Sequence, residues 1–363
     1  NIKGDNFKMK IKETKVEAID EQTKLILKRT ITDKGEFFNR KISVPNTIYV
    51  CEKKRVNLNK SVINTPFQTH HLKWNKEDEE WELSGLKKAR KHAEENNRFF
   101  IPFNQRNQPQ WTSLSWDEAL EDFIDLLRKT DVVPFNIPPT ASLEEWEEHK
   151  GIALTYLSNK QRLIPILSSK HDVRHFPLIF ENELKSSSFI GVSCYELTDV
   201  VEKINLNFMK SINAKLKVGD TCALVVCFNF PRVMSSHLQV AGSFALTFFG
   251  GDVFSQKANF YVDYEKLDKL TPADIYCYDN REKKFTKSNA QKQRYGFDVT
   301  NGFINSIPVS EGLDFQQSIK YLSHKLQQED LDLITNLLIQ KQPVEVEIKN
   351  YTGWNVFLDT INK

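Results

Sequence analysis

Asp131-Val-Val-Pro-Phe-Asn136, Leu163-Ile-Pro-Ile-Leu167, Phe189-Ile-Gly-Val192 and Ala223-Leu-Val-Val-Cys-Phe228 decide the fold, together with a further run that begins at Gly250-Gly-Asp-Val-Phe254. Each run is short, nearly free of charge and followed by a polar, Gly or Pro residue, which is the pattern of a strand buried on both faces. The segments between them, 143–160, 172–185, 198–216 and 233–249, are long enough for a helix to cross back. Strand, crossover and parallel strand repeated in this way predict an α/β chain, and at this length a (β/α)8 TIM barrel. Chemistry in such a barrel sits at the C-terminal ends of the strands.

Outward from this stretch, residues 1–47 read as a small antiparallel β addition, 48–315 as the barrel and 316–363 as a C-terminal helical segment. Lys8-Met-Lys-Ile-Lys12, Thr23-Lys-Leu-Ile-Leu-Lys28 and Lys41-Ile-Ser-Val44 alternate like strands, with a turn at Asp33-Lys-Gly35. They are expected to lead into the barrel or cover its bottom. Ile48-Tyr-Val-Cys51 is the candidate first barrel strand. Residues 52–81 are polar and irregular, and the adjacent His70 and His71 read as exposed structural residues that face opposite ways and cannot chelate one ion together. A charged helix is expected over 85–97, a strand at Phe99-Phe-Ile-Pro-Phe103 and a capping box at Ser115-Trp-Asp-Glu118. Helices at 318–326 and 331–339 and a last strand or helix at 350–358 close the chain.

Fifty basic residues against 48 acidic ones leave a formal charge of +2 over 363 residues, so no global field selects a polyanion. Cys51, Cys194, Cys222, Cys227 and Cys277 show no CxxC spacing. They read as reduced, buried residues of a cytosolic protein. No apolar run approaches the roughly 20 residues of a membrane span, and Lys3, Asp5 and Lys8 near the start are unlike a signal peptide. The expectation is a soluble, cytoplasmic protein without membrane partners.

In order along the chain, these landmarks resemble the tRNA-guanine transglycosylase family. The family's F-x-S-P-x-D-G, L-S-P-E and S-D-I-V-M-x-x-D-E-x-P-P are similar to Phe100-Ile-Pro-Phe-Asn104, Ser113-Leu-Ser-Trp-Asp-Glu118 and Thr130-Asp-Val-Val-Pro-Phe-Asn-Ile-Pro-Pro139. The strand that ends in Gln-Gly-Gly, and the D-L-R after it, resemble Ile164-Pro-Ile-Leu-Ser-Ser169 and Asp172-Val-Arg174. I-G-G-L-x-x-G-E resembles Ile190-Gly-Val-Ser-Cys-Tyr-Glu196, and G-x-D-M-F-D resembles Gly251-Asp-Val-Phe-Ser255. Tyr278-Asp-Asn-Arg281 and Ser323-His-Lys-Leu326 are closest to the archaeal and DNA-modifying branch.

The resemblance implies exchange of guanine for a 7-deazaguanine base in DNA or tRNA, with one carboxylate attacking the sugar C1′ and a second moving protons. Departures from the family pattern fall on those groups. Ser255 stands where the family nucleophile is, Leu83 stands at the proton-moving Asp with Glu82 beside it, and Asn136 replaces the base-reading Asp. The C-x-C-x-x-C zinc motif is missing, so neither a metal nor a cofactor is expected.

Three readings follow. In the first, a diverged transglycosylase keeps a substrate frame of Asn136, Ser168, Ser169, Gly191, Val192 and Glu196, with Asp252 the nucleophile by a register shift and Glu82 or Asp131 the proton carrier. In the second, the chain is a non-catalytic nucleic-acid-binding or partner subunit, with a protein partner or a second copy of itself left open. In that reading a hydroxyl at 255 needs a base such as His237, whose position on an apolar helical stripe favours packing. The third is another barrel enzyme using Lys170 and His171. Arg281, Lys283, Lys284, Lys287, Lys292 and Arg294 form a cationic run placed to grip phosphates in the first two readings.

Overall fold

The computed structural model describes residues 10–45, 65–72, 79–104, 132–157, 161–194, 200–233, 239–256, 276–287 and 315–361. Strands β1 (Ile11–Ile19), β2 (Ile26–Thr32) and β3 (Glu36–Phe38) form an antiparallel sheet in the order β1-β2-β3, turning at Asp33 to Gly35 as the sequence predicts. The alternation follows burial: Val16, Leu25 and Leu27 are buried.

A second sheet holds six strands in the order β4-β11-β10-β9-β8-β7, every pair parallel. Its members are β4 (Lys41–Ile42), β7 (Val132–Asn136), β8 (Arg162–Ser168), β9 (Phe189–Ser193), β10 (Leu224–Phe230) and β11 (Val253–Gln256). Helices α2 (Leu143–Tyr156), α3 (Phe176–Ser186) and α4 (Val200–Asn213) follow β7, β8 and β9, and α5 (Gly242–Thr247) lies between β10 and β11. The four apolar runs and their crossovers therefore form the expected α/β unit. Between β4 and β7 in the chain, β5 (Phe67–Leu72) and β6 (Phe99–Asn104) pair in parallel, with α1 (Glu79–Glu95) between them. Val44 bridges this pair to β4: its N–H donates to Phe67 O and its carbonyl accepts from the Thr69 N–H.

Side-chain alternation splits the core. Phe67, Ile101, Phe103, Val132, Ile164, Ile166, Phe189, Val226, Phe228 and Val253 form one apolar cluster on one side of the parallel strands. Leu167, Ile190, Val192, Val225, Cys227 and Phe254 face the helices with Trp146, Phe176, Phe180 and Met209. A third cluster joins α5 to β12 (Tyr276–Asp279), β13 (Lys284–Lys287), α6 (Phe315–Ile339), α7 (Val344–Lys349) and α8 (Thr352–Ile361).

Several expectations are corrected. Lys41 to Val44 belongs to the parallel sheet and not to the antiparallel addition, because the Lys41 and Ser43 N–H groups donate to the Asp252 and Phe254 carbonyls, and Lys41 pairs with Asp332 on α6. Ile48 to Cys51 lies outside the described residues. The two closing helices are one, α6, since no Gly or Pro interrupts them and Gln328 satisfies both the Ile42 N–H and the Arg40 carbonyl. His70 is buried, with its ring beside Gly85 of α1, and burial pushes its pKa down to about 4. Cys194, Cys222 and Cys227 are buried free thiols. Among the described residues no helix is long and apolar enough to cross a membrane.

Candidate functional site

Parallel strands bring their C-terminal ends to one side, and the face that carries Val132, Ile164 and Val253 is polar there. Asn136 ends β7 on the face of Val132, and Ser168 ends β8 on the face of Ile164 and Ile166. Ser193, which the sequence reading missed, ends β9 on the face of Phe189 and Gly191, and the alternation 189, 191, 193 was the signal for it. Ser255 follows Val253 on the same face of β11 and is fully buried. Deeper on the same side, Thr69 Oγ1 donates to Ser43 Oγ at 2.6 Å.

Asn229 also belongs to this end and was missed. Its backbone is left-handed, with φ at 54°, where the register between β10 and β11 slips between Phe228 and Phe230. Asn tolerates this conformation better than most side chains, and bulges of this kind re-aim side chains at sites. Its Oδ1 is buried and has no hydrogen-bond partner among the described residues.

The expected frame is only partly assembled. Ser169 is buried behind the strand end, its Oγ has no partner among the described residues, and its carbonyl accepts from Asn205 Nδ2 at 2.9 Å. Gly191 lies inside the sheet, where a Cβ would stand 2.7 Å from Ile166 Cγ1 and 2.9 Å from Phe228 Cε2, so its reason is packing. Val192 points to the helices, because neighbours along a strand face opposite ways. Glu196, Asp131 and His237 lie outside the described residues. Glu82 falls on α1, and its side chain lies outside them too.

Asp252 does not share these strand ends. It precedes β11 and so stands at the N-terminal ends of the strands, 1% exposed. Its carboxylate accepts from Lys28 Nζ at 2.6 Å, Asn39 Nδ2 at 2.7 Å and the Val225 N–H at 2.8 Å. A carboxylate with these three donors is a clamp between β2 and the parallel sheet. The expected register shift that would make it a nucleophile is absent.

Set beside known proteins, the chain matches no family model and no curated protein.

Lys170 and His171 serve the loop after β8. His171 Nε2 bonds to Ala141 O at 2.9 Å, and Asn205 Nδ2 holds the His171 carbonyl at 2.7 Å. Burial lowers the His171 pKa, although its bond to Ala141 opposes this. Lys170 is exposed, with Nζ 3.9 Å from buried Glu202.

The cationic run is corrected at its centre. Lys283 is buried, paired with Asp330 and placed 4.5 Å from the Tyr351 ring centre and 5.3 Å from that of Trp354. Its backbone is left-handed, with φ at 56°, in the hairpin turn between β12 and β13. Lys284 pairs with Glu282 at 3.2 Å, and Arg281 is exposed. The Lys287 side chain, Lys292 and Arg294 lie outside the described residues.

Proposed function

We propose that the chain closes as a (β/α)8 barrel of the transglycosylase type and works as a nucleic-acid-binding subunit that holds a guanine-like base of DNA or tRNA without exchanging it. Closure is supported by β4 through β11 being eight parallel strands, with the Val44 bridge joining β4 to β5. The ring of Phe103 on β6 stacks on Phe228 of β10 at 4.4 Å, as side chains do across a barrel interior.

The observation that carries the functional reading is Ser255. It occupies the strand end where the resembled family has its nucleophile, and Asp252 is clamped at the opposite strand ends. A hydroxyl attacks a sugar carbon only with a base to take its proton. Asn136, Ser168 and Ser193 instead offer neutral donors and acceptors, which suit the edge of a base.

The test joins two measurements on the full chain. Fluorescently labelled duplex DNA and tRNA are expected to bind with an affinity that falls steeply with salt. Radiolabelled 7-deazaguanine is expected not to enter either. Incorporation that disappears in Ser255→Ala would establish exchange in place of mere binding, and no binding to either nucleic acid at about 50 mM salt would remove the whole reading.

A further inference from the structure

A cavity of about 260 Å³ opens between β2, α4 and the N-terminal ends of β4 and β11, at the opposite strand ends from Asn136 and Ser168. Lys24, Lys28, Arg40, Lys210, Asn207 and Asp252 are among its lining residues, so four cations meet one carboxylate. That carboxylate is already filled by its three donors, and Lys28 cancels its charge at 2.6 Å. The charge of Arg40 is left over.

Arg40 is 1% exposed. One of its terminal nitrogens donates to Asn39 Oδ1 at 3.1 Å and the other to the Ile26 carbonyl at 2.7 Å, while Nε has no hydrogen-bond partner among the described residues. Both acceptors are neutral. Burial pulls the guanidinium down to about 10, with Asp252 only partly opposing it. The backbone is left-handed at both Arg40 (φ 66°) and Lys24 (φ 58°), a conformation that costs free energy for such side chains and persists where the surroundings enforce it. A second buried polar atom on the wall, the acceptor Asn213 Oδ1, has no partner among the described residues and suits a hydroxyl donor beside the anion. Two buried cations that share one carboxylate leave an excess positive charge, which is costly and is tolerated when an anion completes it.

We infer that this cavity binds a small phosphomonoester, its phosphoryl group held by Arg40 with Lys210 and Lys24. Arg offers a planar fork that matches phosphate oxygens, and Lys adds point charge at the rim. The volume exceeds a phosphate ion alone and leaves room for a compact organic body. The inference does not rest on the nucleic-acid reading, because the cavity lies at the other ends of the strands and its test needs no nucleic acid to succeed.

The experiment is a calorimetric titration of the full chain with inorganic phosphate, with sodium chloride at matched ionic strength as reference and melting curves alongside. One site is expected, with Tm raised by phosphate and not by chloride. Lys210→Gln is expected to weaken phosphate at least tenfold. Asn207→Asp, which adds a negative charge at the cavity, is expected to abolish the phosphate response and raise Tm in phosphate-free buffer. On α4 Asn207 is exposed and Lys210 half-buried, so both variants are expected to fold while Arg40 stays in place. Phosphate acting no differently from chloride, or equally on the wild type and both variants, would overturn the site. Malonate binding where phosphate does not would overturn the phosphoryl assignment, and competition by duplex DNA or tRNA would overturn a small ligand.

Discussion

Burial sets the titration of single residues in ways their neighbours modify, and three of them give opposed pH effects. Burial pushes His70 down to about 4, and burial followed by the nearby Arg98 charge pushes His324 down to about 3. Both are neutral in the folded and unfolded chain above the ordinary histidine value of 6.5. As pH falls below it the unfolded chain takes up protons first, so stability is lost progressively toward pH 4. Asp330 runs the other way: burial raises it to about 6 despite the charge of Lys283, so between about 6 and 4 the folded chain holds a proton that the unfolded chain lacks, and stability is gained as pH falls. His324→Gln is expected to flatten the acid loss, and Asp330→Asn to steepen it, each by at most about 1.4 kcal/mol per pH unit. Urea unfolding across that window measures both slopes, and parallel slopes in all three proteins would refute the assignment. None of these environments was visible in the sequence. His70 and Lys283 look like surface residues there, because their hydrophilic types conceal partners supplied by α1, α6 and α8, far away in the chain.

Elements were more legible than residues, because their signals are local. The helix expected after β7 begins where the sequence places it, since Ser142 Oγ accepts from the Glu145 N–H at 3.2 Å and Glu145 returns the bond to the Ser142 N–H at 2.7 Å. Those bonds hold the exposed Glu145 carboxyl below its usual range. Ser142→Ala is expected to cost about 1 kcal/mol, measured by chemical denaturation, with no change in fold. An effect near zero would mean that α2 is held by packing alone. That packing is substantial: buried Glu183 of α3 accepts from Trp146 Nε1 at 2.7 Å and from Lys150 Nζ at 2.6 Å, both on α2. The apolar runs named four strands of the sheet correctly for the same local reason. What the runs did not reveal was the end of the sheet to which Asp252 belongs, since one residue before or after a strand start reads alike until the pairing register is known. Val192 failed as a frame residue through the same parity, and Ser193 was overlooked by it.

At the scale of the molecule the question is whether the eight parallel strands close. In a sheet that stays open between β6 and β7, β6 and β10 lie far apart in strand order, with β5, β4 and β11 between them on the bridged side. In a closed barrel their inner side chains meet across the interior. Phe103 and Phe228 stack at 4.4 Å with ring planes 9° apart, and Phe99 of β6 meets Phe189 of β9 edge-on at 6.0 Å. Gly191 lies beside this stack, leaving the space that the Phe228 ring fills. Phe103→Ala and Phe228→Ala are each expected to cost about 3–5 kcal/mol as buried aromatic truncations. Those single losses say only that both rings are buried. Their double-mutant cycle carries the topology: rings in contact couple by about 0.5–1.5 kcal/mol, whereas residues more than roughly 10 Å apart add within about 0.5 kcal/mol. Additive losses in the double variant would mean that the rings do not touch and that β6 does not face β10. The (β/α)8 reading, and the mouth built from Asn136, Ser168, Ser193 and Ser255, would then fall together.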